Sequence, residues 1–444
     1  MRQEKFRRYF QFLLVVLAAG SIYPLIYLKT NYQETILLVF KMTLPQLNNM
    51  YSFLGLLFVI GYFPSGLLSD KFSAKKLLAS SLLLTGLGGL WFAQIPSFNN
   101  VVIIFMIWGI FSVFTFWSAH MKIVKLLASD KDSGKFFGIL DGGRGLVEAI
   151  LASVAVFIFS SILGGSVDPS AKREALIGVI YMYSAVLLLT STLIMFFVED
   201  DKKVIARLGT TVDADKTPKF HLHDLLKMFK NKYVYLHGGI IFMGYTVFWT
   251  VYYLGGFLET NIKIDAVSVA TIMVFVLWMR PVGGFVGGYL ADKFGTTKIQ
   301  LGALVGASVC LIIAALLPAS AGKTVFAILL VLLGIFFYTI RGTYWSLLSE
   351  YKIEAGILGS VIGAVSFIGY LPDVLTPQLN SFLWATFGAQ GGYNAYFITS
   401  GVMGFVGVVL VLVFANLVRK EKALAKHTSQ EAIAIKSPIQ PEAA

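Results

Sequence analysis

The sequence predicts an all-α membrane protein of twelve transmembrane helices in two pseudo-symmetric six-helix bundles, and two observations carry that expectation. The first is composition. Of 444 residues, 57% are hydrophobic and only 14% charged, and mean hydropathy is +0.76, whereas a soluble domain carries roughly 25% charge. The apolar residues fall into about twelve runs, each near the ~20 residues that cross a bilayer as a helix. Only helices or closed barrels satisfy every backbone group in lipid. The second observation is a repeat. Gly66-Leu67-Leu68-Ser69-Asp70-Lys71-Phe72-Ser73-Ala74-Lys75-Lys76 returns as Gly288-Tyr289-Leu290-Ala291-Asp292-Lys293-Phe294-Gly295-Thr296-Thr297-Lys298. Both follow an apolar run, the mark of a duplicated half.

In chain order, a basic tail with Arg2, Lys5, Arg7 and Arg8 leads into a first span from Tyr9 to Leu28. That span is too long for a signal peptide and lacks a small-residue cleavage site. The second ends at Gly66, the third runs from Leu77 to Gln94, and Pro96-Ser97-Phe98-Asn99-Asn100 forms a turn before the fourth, Val101 to Leu127. The fifth covers Phe136 to Ile162 and the sixth Ala175 to Val198. Spans seven to twelve start near Tyr233, Val267, Ile299, Val325, Ile357 and Tyr396, and the last ends near Leu417. The expected units are therefore a bundle over 1–198, a polar linker over 199–232, a second bundle over 233–418 and a disordered tail over 419–444. Within the linker, Thr217-Pro218 reads as a helix start. Phe220, Leu222, Leu225, Leu226 and Phe229 give that helix an apolar face for the cytoplasmic membrane surface. His221 and His223, two residues apart, point to different faces, so no metal site is expected. Cys310 is the single cysteine; it excludes a disulfide framework and reads as a small core residue.

Charge gives orientation. With the N-terminus inside, six of the 36 Lys and Arg fall in outer loops (Lys29, Lys41, Lys172, Arg173, Lys263, Lys323) and five within spans. The rest lie on the inner side, as the positive-inside rule requires. Both termini are therefore expected in the cytoplasm, with the chain multi-pass in the inner (plasma) membrane. The net charge of +12 is spread over many short loops, which speaks against nucleic acid as a partner.

The two loops share one pattern: Gly, three residues, Asp-Lys-Phe, a small residue, then Lys. They resemble the loop motif of the major facilitator superfamily, found between helices 2 and 3 and again between 8 and 9. The halves align further. Ala119-His120-Met121 matches Ile340-Arg341-Gly342, and Gly138 and Gly142 match Gly359 and Gly363. The resemblance implies two halves around a central cavity, transport by alternating access, and spans one and seven facing each other across the binding site. It makes Gly66, Asp70, Lys71, Gly288, Asp292 and Lys293 the expected conformational switch, with each carboxylate able to meet a helix N-terminus in one state and lose it in the other. Ser73 stands where the pattern usually has Gly. Subfamily marks are missing: span five has Asp141-Gly142-Gly143-Arg144-Gly145 instead of the Pro-Gly of drug–proton antiporters. Spans one and seven lack the Arg of phosphate-ester antiporters, and Arg280 matches half of the nitrate-carrier pair.

Charges at membrane depth mark substrate or proton pathways. In span five, Asp141, Arg144 and Glu148 follow a three–four spacing along one helical face, and a rise of about 1.5 Å per residue puts Arg144 roughly 12 Å into the bilayer. Span four supplies His120, Lys122 and Lys125, span eight Arg280, span ten Arg341 and span eleven Asp373. Lys125 can snorkel to the surface. Asp141 and Arg144 can serve as a structural pair or as ligand contacts. Asp373, following Pro372, fits either a broken helix that lines a cavity or a structural cap. Tyr23, Tyr27, Trp249, Tyr252 and Tyr253 offer an apolar face with a polar tip, or an interfacial belt. The expected substrate contacts are Tyr23, Tyr27, His120, Lys122, Arg144, Trp249, Tyr252, Arg280 and Arg341. The expected proton carriers are Glu148, Asp373 and Asp141.

Within the spans cations outnumber acids, and Arg suits carboxylate or phosphate. The sequence therefore points to a secondary transporter for a small organic anion (a sugar acid, carboxylate or phosphorylated metabolite), working by proton symport or by exchange. Efflux of amphipathic compounds and a non-transporting membrane sensor are the alternatives. No nucleophile triad, metal cluster or nucleotide loop is legible, so neither an enzyme nor a cofactor or metal is expected. The expected partners are the small molecule, protons and lipid, and the expected state is a monomer.

Overall fold

The computed structural model describes residues 2–128, 133–200, 204, 232–351 and 358–436. The expected surface helix around residues 217–229 lies outside them. Among the described residues every regular element is a helix. In order come α1 (Arg2–Ile26), α2 (Lys29–Phe40), α3 (Leu44–Lys71), α4 (Ala74–Phe92), α5 (Phe98–Val113), α6 (Trp117–Leu127), α7 (Ser133–Leu163) and α8 (Pro169–Phe197). The second half has α9 (Lys232–Trp249), α10 (Val251–Thr260), α11 (Ala266–Phe294), α12 (Thr296–Leu316), α13 (Lys323–Thr343), α14 (Leu358–Gly369) and α15 (Pro372–Lys436). Nine runs among the described residues are long and apolar enough to cross a membrane. The last of them, Val361–Leu424, breaks at Gly388 and holds two spans, and α3 and α4 supply the remaining pair. The fold is the twelve-helix, two-bundle architecture that the sequence predicts. An even number of spans puts both chain ends on one face, called here the terminal face.

Local chemistry sets the ends. Thr43 and Gln46 form a reciprocal capping box at the start of α3, with Pro at its first turn. Asp168 caps α8 by accepting from the Ser170 amide, and its hydrogen bonds from Ser170 hold its carboxyl below the usual range. The two repeat loops turn differently. Gly295 adopts φ 95°, a conformation that costs a residue with a Cβ. Ser73 sits at φ −62° and caps α4 through the Lys76 amide, while donating to Asp200 at 2.9 Å. Ser73 departs from the pattern because this turn needs a cap and no positive φ.

Four spans are broken rather than continuous. Span one passes from α1 to α2 at Tyr27-Leu28, span four from α5 to α6 at residues 114–116, span seven from α9 to α10 at Thr250, and span eleven from α14 to α15 at Tyr370-Leu371. The first span therefore extends to Phe40, beyond the expected end at Leu28. The last helix continues to Lys436, through residues 419–436 that were expected as disordered tail.

The halves meet chiefly along α3 with α15, α7 with α11, and α2 with α10, and α2 also touches α11. The first and third are strongest toward the face opposite the termini. There Asn48 donates to Asn380 at 2.9 Å, Tyr253 to Asn48 at 2.9 Å, Ser52 to the Val374 carbonyl at 2.8 Å, and Gln33 to Tyr393. Gly55 lies against the Asp373 backbone, so closely that a Cβ would collide with its carbonyl. On the terminal side of this contact α3 and α14 face each other across open space, with Phe58, Val59 and Tyr62 on one wall and Ile362, Ser366 and Phe367 on the other. The opposite face is closed and the terminal side is splayed.

Candidate functional site

Between the halves lies a cavity of about 1020 Å³. The broken spans build it, because a break frees side chains from the helical stripe and turns them inward. Tyr23 and Tyr27 come from the end of α1, Tyr245 and Phe248 from α9, Tyr252 from α10, and Tyr370 and Asp373 from the α14–α15 junction. Tyr27 and Tyr252 stack with centroids 4.7 Å apart and planes 20° apart, closing the cavity toward the opposite face.

Five charged residues line this space: Arg144, Glu148, Arg280, Arg341 and Asp373. Glu148 is shared. Its Oε1 lies 3.5 Å from Arg144 Nε, and its Oε2 is ion-paired with Arg280 across the seam between the halves. One carboxylate thus faces two guanidiniums. Asp373 is held by neutral donors: its Oδ1 accepts from Tyr245 Oη and Trp249 Nε1, each at 2.8 Å. Arg341 has no carboxylate within ion-pair distance among the described residues. Its guanidinium lies over the Phe248 ring at 4.6 Å and the Tyr245 ring at 5.6 Å. With formal charges the lining carries three cations and two anions.

The structure gathers Tyr23, Tyr27, Arg144, Glu148, Tyr252, Arg280, Arg341 and Asp373 around one cavity. It places four other candidates elsewhere. His120 is 2% exposed, stacked on Phe116 with centroids 4.8 Å apart, and its Nδ1 lies 3.1 Å from the Phe116 carbonyl. It belongs to the bundle core. Lys122 donates to the Ser69 carbonyl at 2.6 Å, tying α6 to the terminal end of α3. Trp249 is buried behind the lining and reaches the site through its bond to Asp373. Asp141 is exposed and off the cavity wall, roughly two helical turns nearer the terminal end of α7 than Glu148. Of the switch residues, Lys71, Asp292 and Lys293 are exposed, Gly66 and Gly288 have open space where a Cβ would sit, and the Asp70 side chain lies outside the described set.

Sequence reasoning missed Lys29. Counted above as an outer-loop cation, it is fully buried in the structure. It opens α2 beyond the break in span one, and that break is the reason: an apolar run followed by Lys reads as a span end, while the chain in fact continues as helix. The available signal was Pro24 together with the nearby Tyr residues, a pattern suited to a bend lined by aromatics.

The family model for the Major Facilitator Superfamily matches residues 9–377. Over 439 residues the chain is 27% identical to inner membrane protein YqcE of Escherichia coli, with 97% of this chain and 100% of that protein covered. It is 23% identical over 370 residues to a hexuronate transporter of Bacillus subtilis, covering 80% of this chain and 83% of that one. Among solved structures, a mutant of the nucleoside transporter NupG superposes with a TM-score of 0.72 at 12% identity, covering 92% of this chain and 99% of the other.

Proposed function

The chain belongs to the major facilitator superfamily and is a transporter rather than an enzyme, and on that premise we propose that it carries a small organic anion, most specifically a sugar acid, across the inner membrane by alternating access. The observation that carries this reading is Arg341. Glu148 balances one of Arg144 and Arg280, Asp373 carries the other negative charge, and a third guanidinium faces the cavity without a carboxylate partner. A cavity with one surplus positive charge suits a monoanion. Arg presents a planar fork that matches a carboxylate. The surrounding Tyr and Trp side chains offer faces for a sugar ring and polar tips for its hydroxyls. A hexuronate is a sugar acid, and the likeness to a hexuronate transporter supports the choice. The terminal face, which carries the excess of Lys and Arg, lies in the cytoplasm by the positive-inside rule.

Proton coupling falls to Asp373 rather than Glu148. Glu148 is ion-paired with two guanidiniums, whereas Asp373 accepts only from two neutral donors. The spacing in α7 alone does not reveal that Arg280 reaches Glu148 from the other half.

The test is uptake of radiolabelled glucuronate into proteoliposomes. Wild type is expected to accumulate it, Arg341→Ala to lose uptake, and Arg341→Lys to keep the charge but bind weakly. Equal uptake of a neutral hexose by wild type and Arg341→Ala, without glucuronate uptake by either, would overturn the anion reading and favour a neutral or amphipathic substrate. An inward proton gradient is expected to stimulate wild type and Glu148→Gln but not Asp373→Asn. A gradient-independent wild type points to exchange.

A further inference from the structure

Behind the Tyr27–Tyr252 pair, on its far side from the cavity, sits the buried amine of Lys29. Its Nζ lies 4.1 Å from the Tyr253 ring centroid, 4.3 Å from Tyr51, 5.2 Å from Trp249 and 5.9 Å from Tyr252. Lys29 is 0% exposed, and Nζ has no hydrogen-bond partner among the described residues. An ammonium has three donors and no acceptor, so this box satisfies none of them. Taking a lone charge out of water is costly, and the attraction of aromatic faces returns only part of that cost. Unlike Lys125, Lys29 cannot snorkel to a surface.

Three of the four rings come from the other half. Tyr51 belongs to α3, but Trp249, Tyr252 and Tyr253 belong to α9 and α10, on the other side of the seam that α10 forms with α2. Separating α2 from α10 removes these three rings and lets water reach the amine. Closure therefore desolvates the charge, and opening relieves it. One wall is also tied to the substrate site, because Trp249 donates to Asp373.

We propose that Lys29 is a positioning residue of the transport cycle, a caged amine that gives up either its water or its proton when the opposite face closes, and so works against that closure and keeps the carrier from being trapped in the state described here. The proposal rests on the alternating-access reading, and the experiment separates the two. Spin labels on Asn99→Cys and Ser320→Cys report the separation of the halves at the opposite face. Labels on Lys76→Cys and Lys298→Cys report it at the terminal face, both in a Cys310→Ser background in lipid nanodiscs. These four labelled positions are exposed.

Wild type is expected to show two distance classes at each face. Lys29→Met fills the box without a charge and is expected to move the population at least tenfold toward the closed opposite face, about 1.4 kcal/mol. Uptake should fall while glucuronate still raises the thermal midpoint as in wild type. Lys29→Arg, which keeps the charge, should retain both classes. Tyr253→Leu removes a ring facing the amine and should shift the other way, with Tyr253→Phe as its control. A single distance class in wild type under all ligand conditions would sink alternating access itself. Two classes in wild type that Lys29→Met leaves unchanged, or shifts toward the open opposite face, would overturn the proposal alone. Unchanged distances with loss of the glucuronate response would also overturn it and make Lys29 a substrate ligand.

Discussion

Arg341 and His120 occupy matching places in the two halves, yet one faces the cavity and the other is core. The duplication placed them in register, and the sequence could not show that only one half kept its cation at the centre. Two substitutions should separate the roles. Arg341→Ala should abolish anion binding with little loss of stability. His120→Ala removes a packed ring and should cost about 2–4 kcal/mol of stability, read as a lower thermal midpoint with substrate affinity intact. Glu148 makes a third case. Removing one member of a buried ion pair leaves its partner uncompensated, a loss of about 3 kcal/mol, here reduced because these side chains are 9–15% exposed. Glu148→Gln frees two guanidiniums together, so anions should stabilise this variant more than they stabilise wild type in a thermal-shift assay. An equal or smaller shift would mean that the three charges do not face one ligand. The identity of the charged residues was legible from their cost in lipid. Their pairing was not, since Arg280 meets Glu148 only through tertiary packing.

The helices themselves were legible wherever length and hydropathy decide, and their breaks were not. Apolar content says that a run crosses the bilayer, but it is indifferent to where the backbone bends within the run. Span one shows the consequence. Reading its end at Leu28 put Lys29 in water, whereas the helix resumes and carries that residue into the interface between the halves. Glycines test this scale because two of them act for different reasons. Gly388 has φ 73° and open space around its absent Cβ, so Gly388→Ala should cost about 1–2 kcal/mol through backbone strain alone and leave transport working. Gly55 has ordinary helical geometry, but a Cβ there meets the Asp373 carbonyl. Gly55→Ala should therefore pry α3 from α15 and favour the open opposite face, measured by the same label pairs used for Lys29. Closing of that face by Gly55→Ala would contradict the seam geometry.

At the scale of the whole molecule, the repeat and the composition were enough to predict two bundles, and the family resemblance implied the central cavity between them. Which face is open belongs to the conformational state, and no residue pattern encodes it alone. The switch loops belong here as well. Asp292 is solvent-exposed with the terminal side splayed, so any contact it makes with a neighbouring helix N-terminus forms on closing that side. Asp292→Asn should then hold the carrier in the present state, slowing uptake while ligand affinity from the terminal face is kept; normal uptake would remove Asp292 from the switch. The size of the cavity has a further consequence. A cavity of about 1020 Å³ has room for many waters, more than one sugar acid displaces. Solvent therefore leaves the cavity when the halves close around a ligand, and water activity is expected to bias the cycle. A polymer too large to enter should draw that water out and populate occluded forms, whereas a small osmolyte that penetrates should not.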